Sequence, residues 1–351
     1  MKRINFLTSV CAAAALLAAC DAATLAPALD GGAITIEFAV PEATRAVAQG
    51  NEATISDVQL LLFNQNGSLY KFHSLTASEI SAKSASLTNV LNGNYTVYVV
   101  ANGPDLSGKS TLESFLATAI DLETCNSPSS DFVMEGHGDV TVSGSGTTNI
   151  SVSISRYVSR VVLKSITNGL PSAYGSLTVD RVFLSNAVRV QEIGGDCDPG
   201  NTPGNWYNKE GRKDESTRNA AHIINGSTYT ASAPALTFAT IGTSLANGGK
   251  WNGTKYFYAY PNDSAANPDG FKEPFAAQKS VLEIVGTFGG NTYYYPVILR
   301  NGMDRNTSYE ISATITGAGS DDPNKPVTSG SLRVTVSIDN WIDGTTYTET
   351  F

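Results

Sequence analysis

Cys20 ends the tetrapeptide Leu17-Ala18-Ala19-Cys20, behind an apolar run from Phe6 to Ala19 and a positive pair, Lys2-Arg3. The run is too short to hold a helix across a bilayer, and its charge pattern is that of an export leader. A thiol in this position resembles a bacterial lipobox. The thiol takes a diacylglycerol, a peptidase cuts before it, and the freed amine is acylated. Several acyl chains hold a protein firmly to a membrane, whereas one holds it reversibly. The other reading is an ordinary secretory leader cut at an Ala-x-Ala site, and either way the chain is exported. Arg45 is the second reactive position, in Glu42-Ala43-Thr44-Arg45-Ala46. Arginines in extended segments are common, but a protease cutting here, between Arg45 and Ala46, would release everything before it.

The remaining candidates for chemistry are weaker. Cys11 lies in the leader, which leaves Cys125 and Cys197. They pair in an oxidising compartment or stay as two unpaired loop cysteines, and their separation does not decide between the two. His73, His137 and His222 stand alone, without the spacing of a metal-ligating pair. No Gly-x-Ser-x-Gly elbow is present, and no cysteine sits near a histidine with a third orienting group. Gly144-Ser145-Gly146 and Gly317-Ala318-Gly319 read as turns rather than phosphate cradles. Asp196-Cys197-Asp198 and Asp321-Asp322 lack the order of a calcium loop. The expectation is a chain that is not an enzyme, with no metal site and no cofactor. A net charge of -9 excludes nucleic acid as a natural partner.

The elements that must position Cys20 and Arg45 are strands. Ile34, Ile36, Phe38 and Val40 alternate with Thr35, Glu37 and Ala39 near the start; Leu332, Val334, Val336 and Ile338 alternate with Arg333, Thr335, Ser337 and Asp339 near the end. Both are period-two strands with one apolar face. A cut at Arg45 removes the first and leaves an open groove, and the last strand of another copy has the pattern to fill it. Asp322-Pro323-Asn324-Lys325-Pro326 disfavours helix and continuous ladder, so the tail behind it can swing outward. Trp341 then anchors the donor end in a pocket or marks a hinge before Tyr347 and Phe351.

Between these ends the chain reads as more strands. Val58–Phe63 and Leu69–Phe72 flank Asn66-Gly67 as a hairpin, and Val281–Phe288 and Thr292–Leu299 flank Gly289-Gly290 as another. Tyr95–Val100 and Tyr309–Thr316 are further strands. One short helix is expected after Ser110-Thr111-Leu112-Glu113, read as a capping box, with Leu112, Phe115, Leu116 and Ala119 on one face. Gly194 to Asn219 reads as a long polar surface loop. Charged residues make up 16% of the chain, against about 25% for ordinary soluble domains. No later stretch is apolar enough to cross a membrane. The fold class is all-β: tandem β-sandwiches with one or a few short helices.

Several segments in this order resemble the fimbrillins, or type V pilins, of the Bacteroidia. They are the lipobox at Cys20, Ala43-Thr44-Arg45, Tyr95 to Asn102, Phe132-Val133-Met134-Glu135-Gly136, Ser155-Arg156-Tyr157-Val158-Ser159-Arg160-Val161, Ile315 to Ser320 and Val334 to Trp341. The resemblance spans nearly the whole chain. It implies two transthyretin-like β-sandwich domains, lipidation at Cys20, cleavage at Arg45 by an arginine-specific surface protease, and strand exchange into a pilus of the major-subunit type. The expected division is a leader over 1–19, a propeptide over 20–45, an N-terminal sandwich over 46–155 and a C-terminal sandwich over 156–351, whose donor region is 330–351. Expected partners are other copies, minor pilins, the protease, the outer membrane before cleavage, and an unspecified host or bacterial surface ligand. The alternatives are a minor or tip pilin, or a monomeric surface lipoprotein that stacks glycans on Trp206-Tyr207 or Trp251.

Overall fold

The computed structural model describes residues 31–40, 52–126, 131–195, 205–207, 236–262, 279–299, 302–321, 327, 330–340 and 347–350. The leader, Cys20, Arg45, Ala46, Cys197, His222 and Trp341 lie outside them. Among the described residues, no helix is long and apolar enough to cross a membrane.

The first half of the chain runs β1 (Gly31–Ala39), β2 (Val58–Asn64), β3 (Leu69–Ser74), α1 (Ala77–Ala82), β4 (Ser84–Leu91), β5 (Gly93–Ala101), α2 (Leu112–Leu116), β6 (Ala119–Asp121), β7 (Met134–Val142), β8 (Thr147–Ser153) and β9 (Ser155–Arg156). A three-stranded sheet, β4-β1-β8, faces a five-stranded one, β3-β2-β5-β7-β9. Ile34, Ile36 and Phe38 point into the space between them, against Leu60, Leu62, Val97 and Val99. On the other side of the five-stranded sheet, Leu61, Phe63, Tyr98 and Val100 belong to a second core. β2 is therefore buried on both faces, which is why it reads as a continuous apolar run rather than an alternation.

The second half runs β10 (Ser159–Asn168), β11 (Leu177–Ser185), β12 (Ala187–Val188), β13 (Val190–Glu192), β14 (Trp206–Tyr207), β15 (Phe238–Leu245), β16 (Lys250–Trp251), β17 (Lys255–Ala259), β18 (Val281–Phe288), β19 (Asn291–Ile298), β20 (Thr307–Ile315), β21 (Leu332–Asn340) and β22 (Tyr347–Thr350). One sheet has the order β16-β10-β20-β21-β22, with β17 also on β10, and its partner is β15-β11-β18-β19. The fold is thus two β-sandwiches in tandem. The chain crosses between them at Tyr157-Val158, from β9 into β10. Both expected hairpins form, β2–β3 and β18–β19, each antiparallel.

Three local expectations change. The helix after residue 110 spans only Leu112–Leu116, and its box is closed by Thr111 and Ser114 instead of Glu113. Only Phe115 of that helix is buried, packed on Phe63 and Tyr98 at 5.6 and 4.8 Å between ring centroids. Ala119 has already left the helix for β6. A second helix, α1, was not expected; Thr76 and Glu79 cap it reciprocally, and it buries no residue. Trp206 and Tyr207 do not lie on an exposed loop. They form β14, paired with β12, and are 0% and 2% exposed.

Candidate functional site

The site that the sequence points to is the seat of β1. This strand is central in its sheet. It runs antiparallel to β4 from Gly31 to Glu37 and parallel to β8 from Ala33 to Ala39. Among the described residues, β4 and β8 have no other strand partner. Ile34 and Ile36 are fully buried and Phe38 nearly so. Three such side chains stabilise the closed form by roughly 5–9 kcal/mol gross, at about 1.5–3 each. Val40, counted with them in the sequence, falls just beyond the strand and is only half-buried, packed at the margin of the core. The strand end is fixed by the Phe38 N–H donating to the Lys83 carbonyl at 3.0 Å and the Ile154 N–H donating to the Ala39 carbonyl at 2.9 Å. β1 joins the rest of the chain through residues 41–51, the segment that holds Arg45.

At the other end, β21 is seated in its own sandwich. It pairs antiparallel with β20 in nine register pairs, from Thr307↔Asn340 to Ile315↔Leu332. Val334 and Val336 are buried in the second core, while Leu332 is partly buried against it. Ile338 continues the ladder opposite Tyr309. The chain beyond it is not a loose tail: β22 folds back antiparallel on Thr335–Ile338 and makes the sheet edge. Ile34, Ile36 and Phe38 thus lie on β1 in the first sandwich and Leu332, Val334, Val336 and Ile338 on β21 in the second, and the structure does not bring the two sets together; Val40 lies just past β1, and Trp341 lies outside the described residues.

Sequence reasoning missed the junction that joins the two sandwiches. Glu52, seven residues beyond Arg45, is 1% exposed. One carboxylate oxygen accepts from Arg160 Nη1 and the other from the Tyr258 hydroxyl, each at 2.6 Å. Arg156 donates through Nε to the Glu52 carbonyl at 3.0 Å and through Nη1 to Asn306 Oδ1 at 3.3 Å. Burial pulls the Arg156 guanidinium down to about 10, partly offset by the Glu52 carboxylate. Burial also pushes the Tyr258 phenol far up, with the Glu52 charge adding to it. A third arginine, Arg305, stacks 3.9 Å over the Tyr157 ring and reaches Glu135 Oε2 at 3.3 Å. It also donates to the Arg156, Ser155 and Glu135 carbonyls. β13 pairs with β6 across the same junction. Arg156 and Arg160 inside an apolar run were the one legible signal for this cluster.

The histidines have structural partners. His73 Nε2 is 2.9 Å from Glu79, and His137 Nδ1 is 3.0 Å from Glu135 with its ring stacked on Tyr98. Cys125 carries no disulfide. Among the described residues, no group of three or more His, Cys, Asp or Glu side chains is placed to hold a metal ion.

Residues 25–197 match the family model of the fimbrillin-A associated anchor proteins Mfa1 and Mfa2, which takes in β1, the whole first sandwich and the crossing into the second. Over these residues the chain is similar to the fimbrillin-associated proteins of that family. No curated protein matches the chain by sequence. Solved structures share its fold at low identity. A fimbrilin of Porphyromonas gingivalis superposes with a TM-score of 0.62 at 15% identity, over 90% of this chain and 99% of that one. A proposed cell adhesion protein of Bacteroides eggerthii gives 0.60 at 19%, over 89% and 96%. The tip fimbrial protein Mfa3 of Porphyromonas gingivalis, truncated at its C-terminus, gives 0.50 at 11%, over 89% and 100%. The family match and these folds together support a protein of the fimbrial and adhesion class.

Proposed function

We propose that this chain is a shaft subunit of a surface fimbria and polymerises by protease-triggered donor-strand exchange. The observation that carries the reading is the position of β1: a central strand, joined covalently to the body through 41–51, whose loss leaves β4 and β8 without a strand partner among the described residues. The precursor is an outer-membrane lipoprotein held through Cys20. Its own β1 keeps it monomeric until a surface protease cuts at Arg45, before Ala46. An emptied, apolar groove with two open edges is a template for strand addition. The C-terminal strand of a neighbour, with Leu332, Val334, Val336 and Ile338 on its apolar face and Trp341 behind them, fills it. Donor and acceptor surfaces differ, so the contact is head to tail and generates an open filament. The filament supports adhesion and biofilm formation, with minor pilins at its ends and ligand recognition on exposed loops or on those minor subunits.

The exchange has a favourable balance of ladders. In its own sandwich β21 has one full-length partner, β20, and the short β22 on its other side. In the neighbour's groove it gains two partners along most of its length. The glycan-binding alternative loses its main platform, because Trp206 and Tyr207 are core residues and Trp251 packs against the second core. The test is an assembly assay. Precursor treated with an arginine-specific protease and run unheated on a denaturing gel should give a ladder with a new N-terminus at Ala46. Arg45→Ala should abolish it. Clean cleavage with only monomer would move a minor-pilin role ahead.

A further inference from the structure

The groove under β1 has a selective feature beyond its apolar slots. Gly32 lies where β1 enters between β4 and the β7–β8 turn. A Cβ there would stand 2.8 Å from the Gly146 carbonyl oxygen, 3.0 Å from the Gly144 carbonyl oxygen and 3.0 Å from Val142. Two of these neighbours are backbone, so the slot admits glycine alone. One residue upstream, a Cβ at Gly31 would be 3.3 Å from Asn89, a contact that a small shift relieves. Any strand that replaces β1 in the same register therefore needs glycine two residues before its first buried side chain.

The C-terminal segment has it. Gly32-Ala33-Ile34-Thr35-Ile36-Glu37-Phe38-Ala39-Val40 aligns without a gap on Gly330-Ser331-Leu332-Arg333-Val334-Thr335-Val336-Ser337-Ile338. Each position agrees in kind: glycine, small, aliphatic, polar, aliphatic, polar, apolar, small, aliphatic. We infer that the occupant of the emptied groove is Gly330–Ile338 of a second copy, seated in the register and direction of β1. Gly330 takes the Gly32 slot, and Leu332, Val334 and Val336 take those of Ile34, Ile36 and Phe38. The donor runs antiparallel to β4 and parallel to β8. This rests on the strand-exchange reading and fixes its geometry residue by residue.

Cross-strand partners make the register testable at exposed positions. Thr35 faces Ser86, with their hydroxyl oxygens 3.1 Å apart, and Glu37 faces Ser84. In the inferred seating, Arg333 stands opposite Ser86 and Thr335 opposite Ser84. A slip of two residues moves a partner by about 6.6 Å along the strand and takes a facing pair from about 5 Å to roughly 8 Å, beyond the Cα separation of about 6.8 Å that a disulfide spans. In the precursor with its four cysteines replaced by serine, one preparation carries Ser86→Cys and another carries Arg333→Cys, Thr335→Cys or Thr348→Cys. The two are mixed, cut with an arginine-specific protease and oxidised. The inference expects a covalent dimer from Ser86→Cys with Arg333→Cys, and its loss with Thr335→Cys or Thr348→Cys. It also expects Thr335→Cys to be captured by Ser84→Cys and Arg333→Cys not to be; a strand running the other way, with Leu332, Val334 and Val336 in the same three slots, would put Arg333 opposite Ser84. Capture by Thr335→Cys at Ser86→Cys, by Thr348→Cys in β22, or of Arg333→Cys by Ser84→Cys would overturn the register, the donor segment or the direction, while the ladder on the unheated gel persists. Absence of that ladder in every mixture would sink strand exchange itself, and the register with it.

Discussion

Glu52 and Arg160 form an ion pair that water does not reach, and that sets the sign of what their removal does. Both Glu52 oxygens are engaged, and Arg160 is fully buried. Desolvating two charges cancels much of their attraction, so the pair adds little net stability, but either charge left alone is expensive. Arg160→Ala should therefore lower the stability of the folded chain by about 3–5 kcal/mol, read from the midpoint of chemical denaturation. A joint Glu52→Leu and Arg160→Met replacement should recover most of that loss; if it falls as far as the single change, the pair's hydrogen bonds rather than the stranded charge carry the effect. Glu79 offers a pH test. The Thr76 backbone N–H, and after it His73, hold its carboxyl at about 2. A carboxyl depressed on folding contributes stability above its unfolded value of about 4.5, lost as pH falls towards 2. The α1 cap should thus persist at pH 5 and open through that window. Titration of the Glu79 carboxyl by NMR with a midpoint near 4.5 would show that the cap does not hold it. Of these residues, Arg156 and Arg160 were legible as charges inside a β-forming run. Glu52 was not, because its partner Arg160 is 108 residues away and no local pattern marks a charge for burial.

Period-two alternation identified β1 and β21 because each has one face on a core and one away from it. It set Ile34, Ile36, Phe38, Leu332, Val334 and Val336 on the core faces, and Val40 only at a margin. What alternation cannot give is the neighbour: nothing in residues 31–40 says that β1 lies between β4 and β8 rather than at an edge. β14 was missed because two residues are too few to show a period, and a polar, glycine-rich surrounding outweighed the aromatic pair. α1 was missed although Thr76-Ala77-Ser78-Glu79 is a proper capping box, since a six-residue helix that buries nothing has no apolar stripe. The element whose energetics matter most to the proposed function is β1, and Phe38 is its largest buried side chain. Phe38→Ala should cost the uncut precursor about 3–5 kcal/mol and leave the body unaffected once the cleaved β1 has been separated from it. Denaturation of the two forms side by side gives the answer. Equal losses in both would mean that the substitution acts outside the β1 seat.

In the whole molecule, the two proposed contacts of a shaft subunit lie in different sandwiches: the groove in the first and the donor strand in the second. Any load along such a filament crosses the junction. Only one covalent link, from β9 to β10, spans it in the described chain, so the rest of the coupling is non-covalent. It is also dense. β6 pairs with β13, Asn126 donates to the Tyr260 hydroxyl at 2.9 Å, and Arg189 meets Asp121 at 2.7 Å. Glu52 meets Arg160, Arg305 meets Glu135, and Phe63, Phe115, Phe132 and Tyr258 share one continuous core. Two domains joined by a small polar contact would move and unfold separately, whereas a shared apolar core ties their stabilities together. The chain should therefore unfold in one calorimetric transition. Removing both arginine clamps, with Arg160→Ala and Arg305→Ala together, strips the ion pairs and leaves the shared core. Because the shared core remains, their joint loss should lower the midpoint and keep one transition; a split in two would mean that the clamps, and not the core, couple the sandwiches. Two transitions in the unmodified chain would mean that the sandwiches are coupled only through the crossing, and a filament built from them would flex at every subunit.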